Sequence, residues 1–172
     1  MTAAWTAPKT WNTNDLVTAT DLNTHLRDNL DWLKAPPTAN YVANQASDYT
    51  TTSTSFVNVD GTNLSLTITT TGGNVLIGFS GAVSNTAAGS VTYLDVEIDG
   101  VRFAGDDGVV GVAQNIANYS VNAGFVVLKT GLSAGSHTFK LQWKTFNNTS
   151  KLYAGAGTAG NDNHPQFWVR EV

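Results

Sequence analysis

The chain has 172 residues, no cysteine, and 13 acidic against 9 basic side chains, for a formal charge of −4. The length suits one domain that can bury roughly 70% of its unfolded surface, and the missing cysteines exclude disulfides and thiolate metal centres. The acidic balance leaves no cationic field for a phosphate backbone, so nucleic acid is excluded as a main ligand.

Trp5 and Trp11 flank Pro8 in a segment too short and too broken to fold alone, and this predicts an extended arm that docks its rings onto something else. Thr18 is placed as an N-cap with Asp21 three residues on, and Leu22, Leu26, Leu30 and Leu33 recur at steps of four, four and three. A helix from about Ala19 to Lys34 is expected, closed by Pro36 and Pro37, with Asp21, Arg27, Asp28 and Asp31 mostly away from the leucines. Such a short helix is marginal alone. The leucine stripe is expected to pack against copies of itself or a neighbouring protein, the competing reading being that it packs on the same chain's body.

Residues 38–54 are polar and rich in Thr, Ser and Asn, which predicts a linker or crossing segment. Beyond them the period changes to two. Leu64, Leu66 and Ile68 alternate with polar residues; so do Leu94, Val96 and Ile98, and Phe139, Leu141 and Trp143, while Val75, Ile77, Phe79 and Val83 share a face. Asp60-Gly61, Gly72-Gly73, Asp99-Gly100 and Ala134-Gly135 supply the turns. The expected fold is mainly β, an antiparallel β-sandwich of jelly-roll type behind an extended arm and one α-helix. The expected units are a docking arm and helix at 1–37, a polar linker at 38–54 and a sandwich head at 55–172.

The chemical motifs are weak. Residues 155–160 read G-x-G-x-x-G, but Asn161-Asp162-Asn163-His164-Pro165 cannot begin the helix a pyrophosphate requires, so a flexible loop is expected. His25, His137 and His164 share no metal-binding spacing, and neither metal nor cofactor is expected. Asp95, Glu97 and Asp99 form an acidic row followed by Asp106-Asp107, oxygens that suit calcium or, with less support, a hydrolase, though the row lacks the loop spacing of calcium motifs. Any catalytic site would have to be assembled from scattered residues, and no enzyme is expected. The segment Phe125 to Leu128 and the strand holding Phe167, Trp168 and Val169 are apolar on both faces, which predicts a partner surface: a second copy, or a glycan stacked on Trp143, Tyr153 or Trp168. No leader and no stretch able to span a membrane is recognisable, so a soluble protein without membrane insertion is expected.

The run Trp5-Thr6-Ala7-Pro8-Lys9-Thr10-Trp11, then Asp15-Leu16-Val17-Thr18-Ala19 and Asp21-Leu22-Asn23-Thr24-His25-Leu26-Arg27-Asp28-Asn29-Leu30, resembles the N-terminal segment of many virion proteins of tailed bacteriophages. The endings Tyr153-Ala154-Gly155-Ala156-Gly157 and His164-Pro165-Gln166-Phe167-Trp168-Val169-Arg170-Glu171 are also similar to such proteins. The resemblance implies a non-enzymatic virion component, often a trimer, made in the host cytoplasm. Its arm and helix would attach it to capsid or tail proteins while the β-domain projects outward as a tail fibre, a tail tip or a capsid decoration. It places the assembly interface on Trp5, Trp11, Leu22, Leu26, Leu30 and Leu33.

Overall fold

The computed structural model describes residues 5–172, so residues 1–4 of the expected N-terminal unit lie outside the described residues. The helix forms where the leucine stripe places it, but in three parts: α1 (Ala19–Leu22), a π turn (Asn23–Arg27) and α2 (Asp28–Lys34). Thr18 and Asp21 make a capping box, each side chain accepting the other's backbone N–H, which satisfies two donors at the helix start. No described helix is long and apolar enough to cross a membrane.

Twelve strands follow among the described residues: β1 (Thr38–Val42), β2 (Tyr49–Thr51), β3 (Val57–Asn58), β4 (Ser65–Thr70), β5 (Gly73–Asn85), β6 (Ser90–Ile98), β7 (Val101–Arg102), β8 (Val110–Gln114), β9 (Val121–Leu132), β10 (Gly135–Thr145), β11 (Ser150–Leu152) and β12 (Gln166–Glu171). The polar 38–54 segment, expected as a linker, therefore contains two strands. β1 pairs with β12 and β2 with β11, so this segment is an edge of a sheet. Its polarity reflects that position: Thr38, Asn40 and Val42 face solvent while Ala39 and Tyr41 pack against the core.

All pairings are antiparallel, in two sheets. In the first, β5 has β12 and β11 along one side, with β1 and β2 beyond them, and β9 along the other side. In the second, β10 has β4 and β3 on one side and β6 on the other, with β7 and β8 beyond β6. Counting the consecutive pairs β1/β2, β3/β4, β7/β8 and β11/β12 as one position each leaves eight positions, ordered 1-8-3-6 and 2-7-4-5. That is the jelly-roll order.

The alternating residues meet between the sheets. Leu64, Val75, Ile77, Leu94, Val96, Phe139, Leu141, Trp143, Leu152, Phe167 and Val169 are almost wholly buried there. Asp99-Gly100 makes the tight β6–β7 turn with φ of 51° and 86°, the left-handed pair such a hairpin needs.

Candidate assembly interface

The arm lies on its own helix. Asn29 holds it with two backbone bonds, its Oδ1 accepting from Thr6 N–H at 2.9 Å and its Nδ2 donating to Thr6 C=O at 2.8 Å. His25 Nδ1 stands 3.1 Å from Ala7 C=O, and Lys9 Nζ donates to Asp21 at 2.9 Å. Asp21, His25, Asn29 and Trp32 thus form one face, and the arm runs antiparallel along it. At its head Trp5 packs on Trp32, with ring centroids 5.6 Å apart. Lys9 also sits over the Trp11 ring at 4.3 Å. The Thr18 hydroxyl and then the Lys9 ammonium hold the Asp21 carboxyl down at about 2. The sequence expectation that the arm's rings dock elsewhere is thus half corrected: Trp5 is seated on the chain's own Trp32, yet both Trp5 and Trp11 remain 42% exposed.

The leucine stripe is not used internally. Leu22, Leu26, Leu30 and Leu33 are each 48–56% exposed, whereas Asn29 and Trp32 on the neighbouring face are buried. Trp32 and Leu33 share a cavity with Thr71, Gly72, Glu171 and Val172, which places this end of the helix against the β4–β5 turn and the end of β12. The π turn also changes the phase of the stripe. It spans Asn23–Arg27 and winds more residues per turn than an α-helix, so Leu22 is displaced around the axis relative to Leu30 and Leu33 compared with a uniform helix. Sequence periodicity alone could not show this, because it assumes a uniform turn.

The three aromatic surface candidates part company. Trp143, at 1% exposure, faces the core from β10, and Tyr153, at 4%, donates its hydroxyl to Ser84 Oγ inside the structure, so neither can stack a ligand. Trp143 belongs to the inward set with Phe139 and Leu141, as the alternation of its strand implies, and the surface reading of this ring is the one that fails. Trp168 stays at the surface, half-buried on the outer face of the first sheet. Its ring lies against Gly78, where any Cβ would stand 2.2 Å from the indole. Its neighbours on that face are Leu76, Val126 and Leu128, the last two 63% and 47% exposed.

The acidic row is consumed by the fold. Asp95 is fully buried; its Oδ1 accepts from Val96 and Ala104 N–H, Arg102 stands 3.7 Å from its Oδ2, and burial raises its carboxyl above the usual range. Glu97 is bound by Lys140 at 2.8 Å and Gln142 at 2.6 Å. Asp99 accepts from His137 at 2.6 Å and from Thr138 N–H at 2.8 Å. The other His137 nitrogen faces Ser133 C=O at 2.9 Å, so both ring nitrogens meet acceptors and the ring is held above its usual pKa, chiefly by Asp99. Among the described residues no three His, Asp or Glu side chains converge as metal ligands. The 155–160 loop has positive φ at Gly155, Gly157 and Gly160 and no helix follows it. His164 there faces Ala43 C=O at 2.9 Å.

No family model matches this chain, and no curated protein matches it. Among solved structures it is similar to the Eiger TNF of S. frugiperda at 9% identity, with TM-score 0.45, covering 78% of this chain and 92% of that one. It is also similar to the VP2 subviral particle protein of infectious bursal disease virus at 12% identity, with TM-score 0.42, covering 79% of this chain and 37% of that one. A pentameric capsid protein from metagenomic phage sequences matches at 17% identity, with TM-score 0.31, over 95% of this chain and 80% of that one. At these values the likeness assigns neither family nor function.

Proposed function

We propose that the chain is a non-enzymatic structural component of a tailed-phage virion, gripping its assembly through the arm and helix and carrying the β-sandwich as a projecting body. The observation that carries this reading is the exposed leucine seam beside a clamped arm. An ordinary amphipathic helix turns its apolar stripe to its own core; this one turns Asn29 and Trp32 inward and leaves four leucines outside. The resemblance of residues 5–30 to virion proteins supports the same reading. Tail fibre and capsid decoration both suit it.

Magnitudes set what the seam can do. Burying what is exposed of each leucine is worth about 1 kcal/mol, about 4 kcal/mol in all. Association costs about 4–15 kcal/mol of lost freedom. The seam alone is therefore a weak contact that becomes strong only when Trp5, Trp11, Leu16 and Val17 join it or when many copies act together. Three copies around the seam give the trimer the resemblance implies.

The test compares the full chain with Leu26→Asp/Leu30→Asp by immunogold labelling of particles assembled with each. The wild-type chain is expected on capsid or tail, and the variant, though folded, is expected to be lost from both. Equal incorporation of the variant overturns the proposal. A second reading rests on Trp168, the one aromatic candidate left at the surface: a host glycan stacked on its ring. Glycan-array binding abolished by Trp168→Ala in a folded chain would favour it.

A further inference from the structure

The first sheet ends in an unusual edge. β9 is long, Val121–Leu132, and among the described residues it has a hydrogen-bonded neighbour on one side only, β5. Half of its backbone donors and acceptors therefore point away from the sheet. Proteins usually blunt such an edge with proline, charge, a bulge or a covering loop. From Val121 to Leu128 this strand has no proline and no charge. Its irregularities, Lys129 and the positive φ of Gly131, come only at its far end.

Both faces of this edge are unfinished. Outward, Val126 and Leu128 are exposed next to Trp168 and Leu76. Inward, Phe125 and Val127 pack against the core but stay only half-buried, where their counterparts on β5, Phe79 and Ile77, are buried. Beside them the two sheets part in a cleft of about 380 Å³ lined by Ile98, Val101, Phe103 and Leu132 together with Asp99, Arg102 and Lys129. A row of free peptide groups with apolar residues above and below fits one class of partner, an extended strand that continues the sheet.

The geometry points to a second copy of this chain as that strand, its β9 pairing antiparallel with this β9 about a two-fold axis at Val126. The sequence of the strand is self-complementary in that register. In an antiparallel pair opposed residues share a face, so Val126 meets Val126 of the copy and Phe125 meets Val127 twice, an aromatic–β-branched pair on the inner face. Leu128 meets Gly124, whose missing side chain leaves room for it. Shifting by one residue would turn the apolar sets to opposite faces and is excluded. Two sheets then become one continuous sheet and the half-exposed Phe125 and Val127 are covered. This contact is isologous and independent of the helix seam.

The absence of cysteine from the chain makes the test direct. It is run on full chains carrying Leu26→Asp/Leu30→Asp, so that the helix seam is silent. Light scattering should show a concentration-dependent dimer, and Val126→Cys should yield a covalent dimer on mild oxidation. Leu128→Cys, whose opposite residue is Gly124, should yield far less. Val126→Lys/Leu128→Lys, with charges on an already exposed face, should keep the fold and weaken the dimer about tenfold or more. A chain that stays monomeric, or a dimer indifferent to the lysines, overturns the proposal. Stronger linkage through Leu128→Cys than through Val126→Cys overturns the register. None of these outcomes depends on incorporation into particles.

Discussion

Gly78 shows how much one side chain's absence can carry. The Trp168 indole occupies the place where a Cβ would be, so Gly78→Ala must push the ring off the sheet. A cost of about 1–3 kcal/mol is expected, with a red-shifted tryptophan emission. Because both effects run through one contact, Gly78→Ala/Trp168→Ala should cost less than the sum of the two single changes. Gln114 is the opposite case. It is fully buried with neither side-chain amide atom paired, so Gln114→Met should leave stability unchanged or raise it by about 1 kcal/mol in thermal denaturation.

The His137–Asp99 pair makes a pH signature with a definite sign. His137 is raised by Asp99 and then by Ser133 C=O, so its contribution is complete below about 6.5 and fades as pH rises through its raised value. Asp99 is lowered by His137 and Thr138 against the pull of burial, so its contribution holds above about 4 and fades as pH falls through its lowered value. The pair is thus strongest in mild acid. Asp99 is 45% exposed, and water screens the pair, so the gain is no more than about 1 kcal/mol. Melting temperature should drop slightly from pH 6 towards pH 9 in the wild type, and His137→Gln should flatten that slope.

At the scale of elements, the helix is where sequence and structure differ most usefully. The capping box, the proline stop and the leucine stripe were legible because each is a local pattern of side chains. The π turn was not, since nothing in Asn23-Thr24-His25-Leu26-Arg27 announces a wider turn. Asp21, His25 and Asn29 stood at four-residue spacing, but their common task required knowing that the arm doubles back along the helix. Asn29→Ala should release that arm at a cost of about 1–3 kcal/mol, detectable as faster proteolysis after Lys9 with the sandwich unchanged. Strands were legible wherever one face was buried and one wet. β1 and β2 escaped because an edge strand with few apolar residues has the same composition as a linker. Trp143 alternates with the inward residues of β10, which already argued against a surface ring, and Tyr153 lies just past the end of β11, where alternation gives no guide and only tertiary packing buries it.

For the whole molecule, the β-body does not depend on the helix for its own core, which lies entirely between the sheets. Removing residues 1–35 spares β1, which begins at Thr38, and should leave a cooperatively unfolding sandwich that no longer joins particles. Loss of near-ultraviolet circular dichroism in that truncated chain would contradict the expectation. The acidic row remained ambiguous in sequence because carboxylates on one strand look alike whether they wait for an ion or close salt links across a sheet. Here Asp95, Glu97 and Asp99 take Arg102, Lys140 and His137, partners from two other strands that one-dimensional spacing cannot reveal.

The seat of β12 between β1 and β5 bears on how the protein is made. During synthesis β1 emerges early and must wait, with its amides open, until almost the rest of this sequence has left the ribosome before its neighbour exists. A nascent chain therefore exposes its arm and helix well before its body can close. If the arm and helix attach the protein as proposed, premature stop products would carry that attachment segment on an unfinished jelly roll and compete with the complete protein for the same places.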